Sequence, residues 1–205
     1  MNNIDEKIAK IVLKKRIEKE EKNIKENLEK ARLDQKKITL EEICEGIRKG
    51  EVIIHDKKFD FKRELFFNGK LDFPVPDSFF EIRTNTDKNV VILNDPEGVS
   101  FNGEYIAKCT KKQDFKVIKN SIDKNLENAK IHIEWIDEGK FKLEDSSTVF
   151  FVSYKMPTSK GQLYNLFFMR DYKGTVMIGN YNCIDNNTNE WKCIIDASIR
   201  EMKFL

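Results

Sequence analysis

Histidines, nucleophile motifs and glycine-rich loops are the features that most often reveal chemistry in a sequence. In this 205-residue chain they are few and scattered. The two histidines, His55 and His132, are too far apart to form a metal-binding or nucleophile–base pattern. The nine glycines occur singly, and none belongs to a phosphate-binding G-x-G-x-x-G or G-K-[ST] loop. No serine lies in a G-x-S-x-G motif. The sequence therefore predicts no catalytic residue, no metal site and no cofactor.

Acidic residues offer two further candidates for chemistry. The adjacent pairs Glu41-Glu42 and Asp137-Glu138 are expected on a helix surface and at a hairpin tip, where carboxylates are solvated. The run 185–190 has some resemblance to a calcium-binding loop, but it lacks the glycine and the distant glutamate of an EF-hand. It is better interpreted as the N-terminal cap of the last helix.

The four cysteines are scattered without a C-x-x-C pair, which is typical of buried thiols in a reducing compartment. Cys183 and Cys193 could approach each other where the last strand meets the last helix, and the sequence leaves their distance open. The first residues include acidic side chains and no apolar signal-peptide core. No apolar run approaches the roughly 18 residues of a membrane span. These features predict a cytoplasmic protein.

Net charge and aromatic spacing bear on nucleic-acid binding. The formal net charge is only +2 at pH 7, without the basic bias of a dedicated nucleic-acid-binding protein. The pairs Phe150-Phe151 and Phe167-Phe168 could stack on bases. However, adjacent strand residues point to opposite faces, so burial on both faces is the simpler interpretation. Nucleic acid is therefore not an expected partner.

Residues 1–37 differ in composition from the rest of the chain. They contain twelve Lys and Arg against eight Asp and Glu, and no glycine, proline or aromatic residue, which is typical of a charged helical arm. The stripe residues, which recur at roughly helical spacing with one slip in register, are Ile4, Ile8, Ile11, Ile17, Ile24 and Leu28. The arm is either a solvated helix or a helix that pairs through this stripe with another copy or a protein partner.

Residues 38–50 predict a short helix that belongs to the main domain or acts as a hinge to it. Thr39 followed by Glu42 forms a capping box, and Gly50 lies where a glycine ends a helix. The residues of its apolar face are Leu40, Ile43, Cys44 and Ile47.

Residues 51–205 predict an α+β domain. Roughly eight short strands with mostly hairpin-length connections indicate a curved antiparallel sheet with helices packed on it. The clearest strands are 148–154, 162–169 and 175–181. Asn68-Gly69 predicts a two-residue hairpin, Gly103 a strand irregularity and the run 137–140 another turn.

Two stretches of the domain have helical spacing. The middle one, which Asp114 can cap, has apolar residues at Phe115, Ile118, Ile122 and Leu126. The closing one has them at Trp191, Ile194, Ile195, Ile199 and Met202. Each predicts an amphipathic helix that packs on the sheet.

The order of these elements resembles the PsbP-like fold of photosystem PsbP proteins, Ran-binding Mog proteins and a bacterial family related to the lipoprotein DcrB. The resemblance covers about 59–205, and the stretches 69–77, 164–182 and 191–199 carry it. It implies a non-catalytic binding domain that docks a larger protein, sometimes as an adaptor or secretion chaperone. The chain differs from the bacterial lipoproteins in lacking an export signal and lipidation cysteine and in its charged residues 1–50, so no functional residue is carried over.

The expected function is non-enzymatic protein interaction, with the arm used for self-association or for docking a partner. Two alternatives stay open. One is a small-ligand-binding protein or an enzyme whose site is assembled from residues distant in sequence. The other is weak nucleic-acid binding through the lysine-rich arm. The partner, the specific role and the oligomeric state are not determined by the sequence.

Overall fold

The computed structural model describes residues 38–54, 56–108, 114–159, 161–184 and 188–205. The chain divides into two units, Met1–Ile38 and Thr39–Leu205, and the described residues after Ile38 belong to the second. The predicted arm, 1–37, lies outside the described residues. Among the residues that are described, no helix has the length and apolar character needed to cross a membrane.

Three helices and eleven strands make up the described part of the chain. The helices are α1 (Leu40–Lys49), α2 (Phe115–Asn128) and α3 (Thr188–Arg200). The strands are β1 (Glu51–Ile54), β2 (Lys57–Phe66), β3 (Leu71–Pro76), β4 (Glu81–Asn85), β5 (Asn89–Asn94), β6 (Val99–Ile106), β7 (Glu134–Lys142), β8 (Thr148–Thr158), β9 (Gly161–Tyr172), β10 (Thr175–Ile184) and β11 (Lys203–Phe204). The expected total of about eight was too low, because β4 is almost wholly exposed and β11 has two residues, so neither shows apolar alternation.

The strands form two antiparallel sheets. A four-stranded sheet has the order β1-β2-β3-β11, and a seven-stranded sheet has the order β4-β5-β6-β10-β9-β8-β7. One of the sheets is strongly curled. The predicted class, α+β with a curved antiparallel sheet and packed helices, is confirmed.

An aromatic layer joins the two sheets in the core. Phe73 of β3 stacks on Phe101 of β6 with 5.1 Å between ring centroids, and Phe101 stacks on Phe168 of β9 at 6.2 Å. Gly103 and Gly179 lie directly opposite each other in regular pairing, so the predicted irregularity at Gly103 is wrong. A Cβ at Gly179 would lie 2.3 Å from carbons of the Phe168 ring, so this glycine leaves room for the aromatic layer.

The hairpin predicted at Asn68-Gly69 is present, but its loop has four residues instead of two. The last β2–β3 pair is Phe66 with Leu71, and φ is positive at Phe67, Asn68 and Gly69. The side chain of Phe67 is fully buried, and its N–H donates to Oδ1 of Asn85 at 3.2 Å. The loop is therefore longer because Phe67 belongs to the core.

The turn predicted at 137–140 is wrong. Strand β7 runs through these residues and pairs with β8, with one irregularity between Trp135 and Asp137. Gly139 lies opposite Phe151, and a Cβ there would be 2.9 Å from the Phe151 ring. The glycine marks the close approach of an aromatic ring, which a sequence pattern does not distinguish from a turn.

Helix α1 has the predicted ends and packs against α3. The Oγ1 of Thr39 accepts from the N–H of Glu42, and the N–H of Thr39 donates to Oε2 of Glu42, which completes the capping box. Gly50 has φ 90° and donates its N–H to main-chain carbonyls of the last turn. Ile43 and Ile47 are buried toward the domain.

The cysteines within the described residues are thiols. Cys44 and Cys183 are buried and Cys193 is half-buried. Burial, together with the nearby carboxylate of Glu201, raises the pKa of Cys44 to about 11, so this thiol is neutral at physiological pH.

Candidate functional site

A groove of ≈ 530 Å³ opens beside the C-terminal end of α1. We call it the basic groove, and its lining residues are Ile47, Arg48, Lys49, Gly50, Phe61, Lys62, Arg63, Asp72 and Lys203. Five of these side chains are cationic and one is acidic. This charge distinguishes the groove from the chain as a whole, which carries a formal net charge of only +2.

The ends of several elements place these residues together. The chain leaves α1 at Gly50 and enters β1, and the N–H of Phe61 donates to the carbonyl of Gly50 at 2.7 Å, which holds the helix end beside β2. Across the four-stranded sheet, Asp72 lies opposite both Leu65 of β2 and Lys203 of β11. The groove thus combines the last turn of α1 with residues of β2, β3 and β11.

Glu201, just beyond α3, orients two arginines of the groove. Its side chain is 6% exposed, and it accepts from Nε and Nη2 of Arg48 at 2.9 and 2.8 Å. Its main-chain carbonyl accepts from Nη2 of Arg63 at 3.0 Å, and Nε of Arg63 donates to Oδ1 of Asp72 at 2.7 Å. The hydrogen bonds that Arg48 donates to Glu201 raise the pKa of Arg48 above its ordinary value. These hydrogen bonds hold both guanidinium groups in place.

The lysines of the groove are held much more weakly. Their ion pairs are Lys49 with Glu45 at 2.7 Å, Lys62 with Glu64 at 2.8 Å and Lys203 with Glu144 at 3.1 Å. Each lysine side chain is more than two-fifths exposed. Ion pairs between exposed side chains contribute roughly 0–1 kcal/mol, so a ligand carboxylate can replace the present partner at little cost.

Two carboxyl groups with perturbed pKa values, those of Asp145 and Asp196, do not line the groove. Burial would raise the pKa of Asp145, but hydrogen bonds from Ser147 and Arg170 outweigh burial and hold it below its ordinary value. Burial raises the pKa of Asp196 on α3. Within the described ranges, no three His, Cys, Asp or Glu side chains are grouped so as to hold a metal ion. With five cationic side chains and one acidic side chain in its lining, the groove has the chemistry of an anion-binding surface.

A second, much smaller cleft opens between the two sheets. It has a volume of ≈ 30 Å³ and is lined by Phe66, Val75 and Ile92 from the core, with Lys62 and Glu64 among the other lining residues. This volume is enough for about one or two water molecules. The cleft is an opening into the core, too small for a side chain of a partner.

The residues predicted to bind a partner, Ile4, Ile8, Ile11, Ile17, Ile24 and Leu28, lie outside the described residues, and so does His55. His132 is exposed, in the connection before β7. The sequence did not reveal the basic groove, because the residues that build it come from distant positions; Arg48 and Glu201 are 153 positions apart. The one local signal is the pair of basic residues in the last turn of α1, Arg48 and Lys49, which helix capping alone explains.

Comparison with known proteins supports the fold. No protein-family model matches the chain, and no curated protein matches it in sequence. The solved structure of cyanobacterial PsbP (CyanoP) from Synechocystis sp. PCC 6803 is similar to it with a TM-score of 0.56 and 11% sequence identity, over 71% of this chain and 92% of that one. The chain therefore has a PsbP-like fold, as the order of its elements predicts.

Two other solved structures match with lower scores. The Ran-binding protein Mog1p of Saccharomyces cerevisiae has a TM-score of 0.48 and 13% identity, over 71% of this chain and 96% of that one. PA94 from Pseudomonas aeruginosa, described as a protein of unknown function and putative regulator, has a TM-score of 0.39 and 10% identity, over 68% and 94% of the two chains.

Proposed function

We propose that this protein is a non-enzymatic interaction domain that docks a protein partner in the cytoplasm. The observation that carries the proposal is the basic groove, an open surface in which a buried glutamate, Glu201, orients two arginines. Orienting charged groups on an open surface favours recognition of a partner, because the partner does not have to order them on binding. The resemblance to PsbP-like proteins, which implies a non-catalytic binding domain, supports the same conclusion.

A small-molecule site is the second candidate. The groove volume of ≈ 530 Å³ lies within the range of known ligand pockets, about 300–1,000 Å³. Such pockets are mostly apolar with a few polar groups, whereas six of the nine lining residues here are charged. The lining therefore favours a partner surface over a small ligand.

The charged arm supplies a second part of the proposal. Its stripe residues, Ile4, Ile8, Ile11, Ile17, Ile24 and Leu28, recur at roughly helical spacing in a segment that is otherwise highly charged. A helix this polar gains little from its own side chains, so association through the stripe would stabilise it. We propose that the stripe mediates self-association or docks the partner.

The test compares two triple variants of the full chain. In the stripe variant, Ile8→Gln, Ile11→Gln and Ile24→Gln remove apolar side chains and keep a high helix propensity. In the control variant, Lys7→Gln, Lys14→Gln and Lys22→Gln alter the same arm and keep the stripe. Light scattering across a concentration series, together with pull-down from a lysate, measures association.

We expect the stripe variant to lose mass in solution or to lose its captured protein, while the control keeps both. An unchanged mass and an unchanged pull-down profile in the stripe variant would contradict a role of the arm in association. Loss of both properties in the control as well would show that the effect is not specific to the stripe, which would contradict its proposed role.

A further inference from the structure

We infer that the basic groove binds an extended acidic segment of a partner protein, in which carboxylates and apolar side chains alternate along one face of the segment. This inference rests on the proposed function and names the chemistry of the partner. Three features of the groove carry it: the oriented arginines, the apolar side chains beside them, and the confined area of positive charge.

The two arginines have donors left for a ligand. The hydrogen bonds of Arg48 to Glu201 use Nε and Nη2, and those of Arg63 to Asp72 and Glu201 use the same two nitrogens. Within the described residues, the Nη1 group of each guanidinium makes no hydrogen bond in this network. A planar guanidinium with free N–H donors is well suited to a carboxylate, and neither side chain must be ordered when the ligand arrives.

Apolar side chains flank one of these arginines. Phe61, Arg63 and Leu65 are alternate residues of β2 in unbroken register with β3, so they lie on one face of the sheet. Phe61 is half-buried in the groove lining, and Leu65 is 53% exposed although leucine is usually buried. The order apolar, cationic, apolar at alternate positions of β2 complements an extended segment in which the side chains of one face, at every second position, alternate between apolar and acidic.

The surroundings of the groove favour a peptide over a nucleic acid. Carboxylates surround the cations. Glu45, Glu64 and Glu144 each lie within ion-pair distance of one of the lysines. A nucleic-acid backbone presents a continuous row of phosphates and needs a continuous basic surface. A peptide with two or three carboxylates needs only the short cationic stretch that is present.

The experiment measures fluorescence anisotropy on the full chain. The probe is a fluorescein-labelled peptide of about twelve residues, roughly 40 Å long when extended. Glu and Leu alternate at every second position with serine between them, so that both kinds of side chain lie on the same face. The groove variant carries Lys49→Glu and Lys203→Glu, two substitutions of exposed side chains. The control variant carries Lys124→Glu and Lys140→Glu, which make the same change in net charge on exposed positions outside the groove.

We expect the groove variant to bind the peptide roughly tenfold more weakly than the native chain, because two attractions become repulsions, and the control to change binding by less than about twofold. Added salt should weaken native binding, since exposed charges are screened. Equal losses in the two variants, or no binding by the native chain, would overturn the inference. The association measured with the stripe variant does not depend on either result, so failure of the groove and failure of the arm are distinguishable.

Two further measurements test the apolar contact at Leu65 and the alternative that the groove binds nucleic acid. Leu65→Gln should weaken peptide binding about threefold, whereas Val117→Gln, on a similarly exposed apolar side chain of α2, should not. Equal effects of these two variants would contradict the apolar contact.

A labelled twelve-nucleotide oligo-dT should bind more weakly than the peptide. If it binds more tightly and loses binding in the groove variant, the groove is a nucleic-acid site and the inference is wrong.

Discussion

Helices α2 and α3 carry the same kind of apolar stripe, yet the domain buries them to different extents. In α3, Trp191, Ile194 and Ile195 are at most 3% exposed. In α2, no residue is buried, and Val117 is 60% exposed. Helix α3 contacts α1, β3 and β10, whereas α2 lies on the sheet through single residues such as Phe115, whose ring stacks on Phe150 and Phe167.

The difference shows what periodicity measures. Apolar spacing identifies a helix and the face that avoids water, but the amount of burial depends on how many other elements surround that face. Helix α3 has neighbours on several sides, and α2 has only the outer surface of the sheet. The stability of the domain should therefore depend strongly on α3 and weakly on α2.

The largest expected effect comes from matched truncations in the two helices. Ile195→Ala in α3 should lower the free energy of unfolding by about 2–5 kcal/mol, because the side chain is fully buried and leaves a cavity. Ile122→Ala in α2 should cost about 1 kcal/mol, because that side chain is only half-buried. Urea denaturation of both variants measures the two losses, and equal losses would remove the distinction between the helices.

A smaller effect is expected where the α3 side of the sheet is tightly packed. Gly179→Ala should cost about 1–3 kcal/mol, since its Cβ would lie 2.3 Å from the buried Phe168 ring, which has no space to move into. Gly139→Ala is the control at the sheet edge, where the half-buried Phe151 can shift, and it should cost less. Thermal unfolding followed by circular dichroism compares the two. A larger loss at Gly139 would show that the packed side tolerates added volume.

Local opening should also distinguish the helices. Amide hydrogens of α2 are expected to exchange through local fluctuations, because few buried contacts hold this helix to the sheet. Amide hydrogens in the middle of α3 should exchange only through openings whose free energy is close to that of global unfolding. Hydrogen–deuterium exchange followed by mass spectrometry tests this, and equal protection in the two helices would contradict it.

The smallest effect concerns charge on α3. Burial raises the pKa of Asp196 above its ordinary value of 3.8. The folded state therefore favours the protonated acid, and the stability that this side chain contributes is fully present below pH 3.8 and is lost as pH rises through the raised pKa. Asp196→Asn should accordingly raise the melting temperature at pH 7 and leave it almost unchanged at pH 3.

Asp123→Asn in α2 is the control for loss of a helix carboxylate. A gain in melting temperature for Asp196→Asn that is the same at both pH values would show that the effect is not caused by titration. A loss at pH 7 would show that the charged carboxylate stabilises α3, contrary to the burial of this position.

Local chemistry determined much of the fold in advance. The capping box at Thr39 and Glu42 and the glycine at position 50 define both ends of α1, because each cap depends on residues within one turn. The strands 148–154, 162–169 and 175–181 were predicted as the cores of β8, β9 and β10, since β-branched and aromatic residues alternate there between turn signals.

Other features depended on contacts that local patterns do not contain. Gly103 and Gly139 accommodate side chains of neighbouring strands, Val90 in the first case and the Phe151 ring in the second, so their role could not be separated from that of a turn or irregularity. Phe67 lengthens its hairpin because Asn85, from another strand, binds its N–H. The short strand β11 pairs with β3 across more than a hundred residues of chain.

The sequence by itself therefore determined the α+β class, the helix ends, the main strands and the apolar face of each helix, because these follow from spacing and from caps within a few residues. Only the tertiary structure decided how deeply each helix is buried and where the charged side chains converge. The basic groove exists because Glu201, beyond the last helix, holds Arg48 of the first helix and Arg63 of a strand. Such a convergence is a property of packing, since each of these residues taken alone has the sequence pattern of an ordinary surface charge.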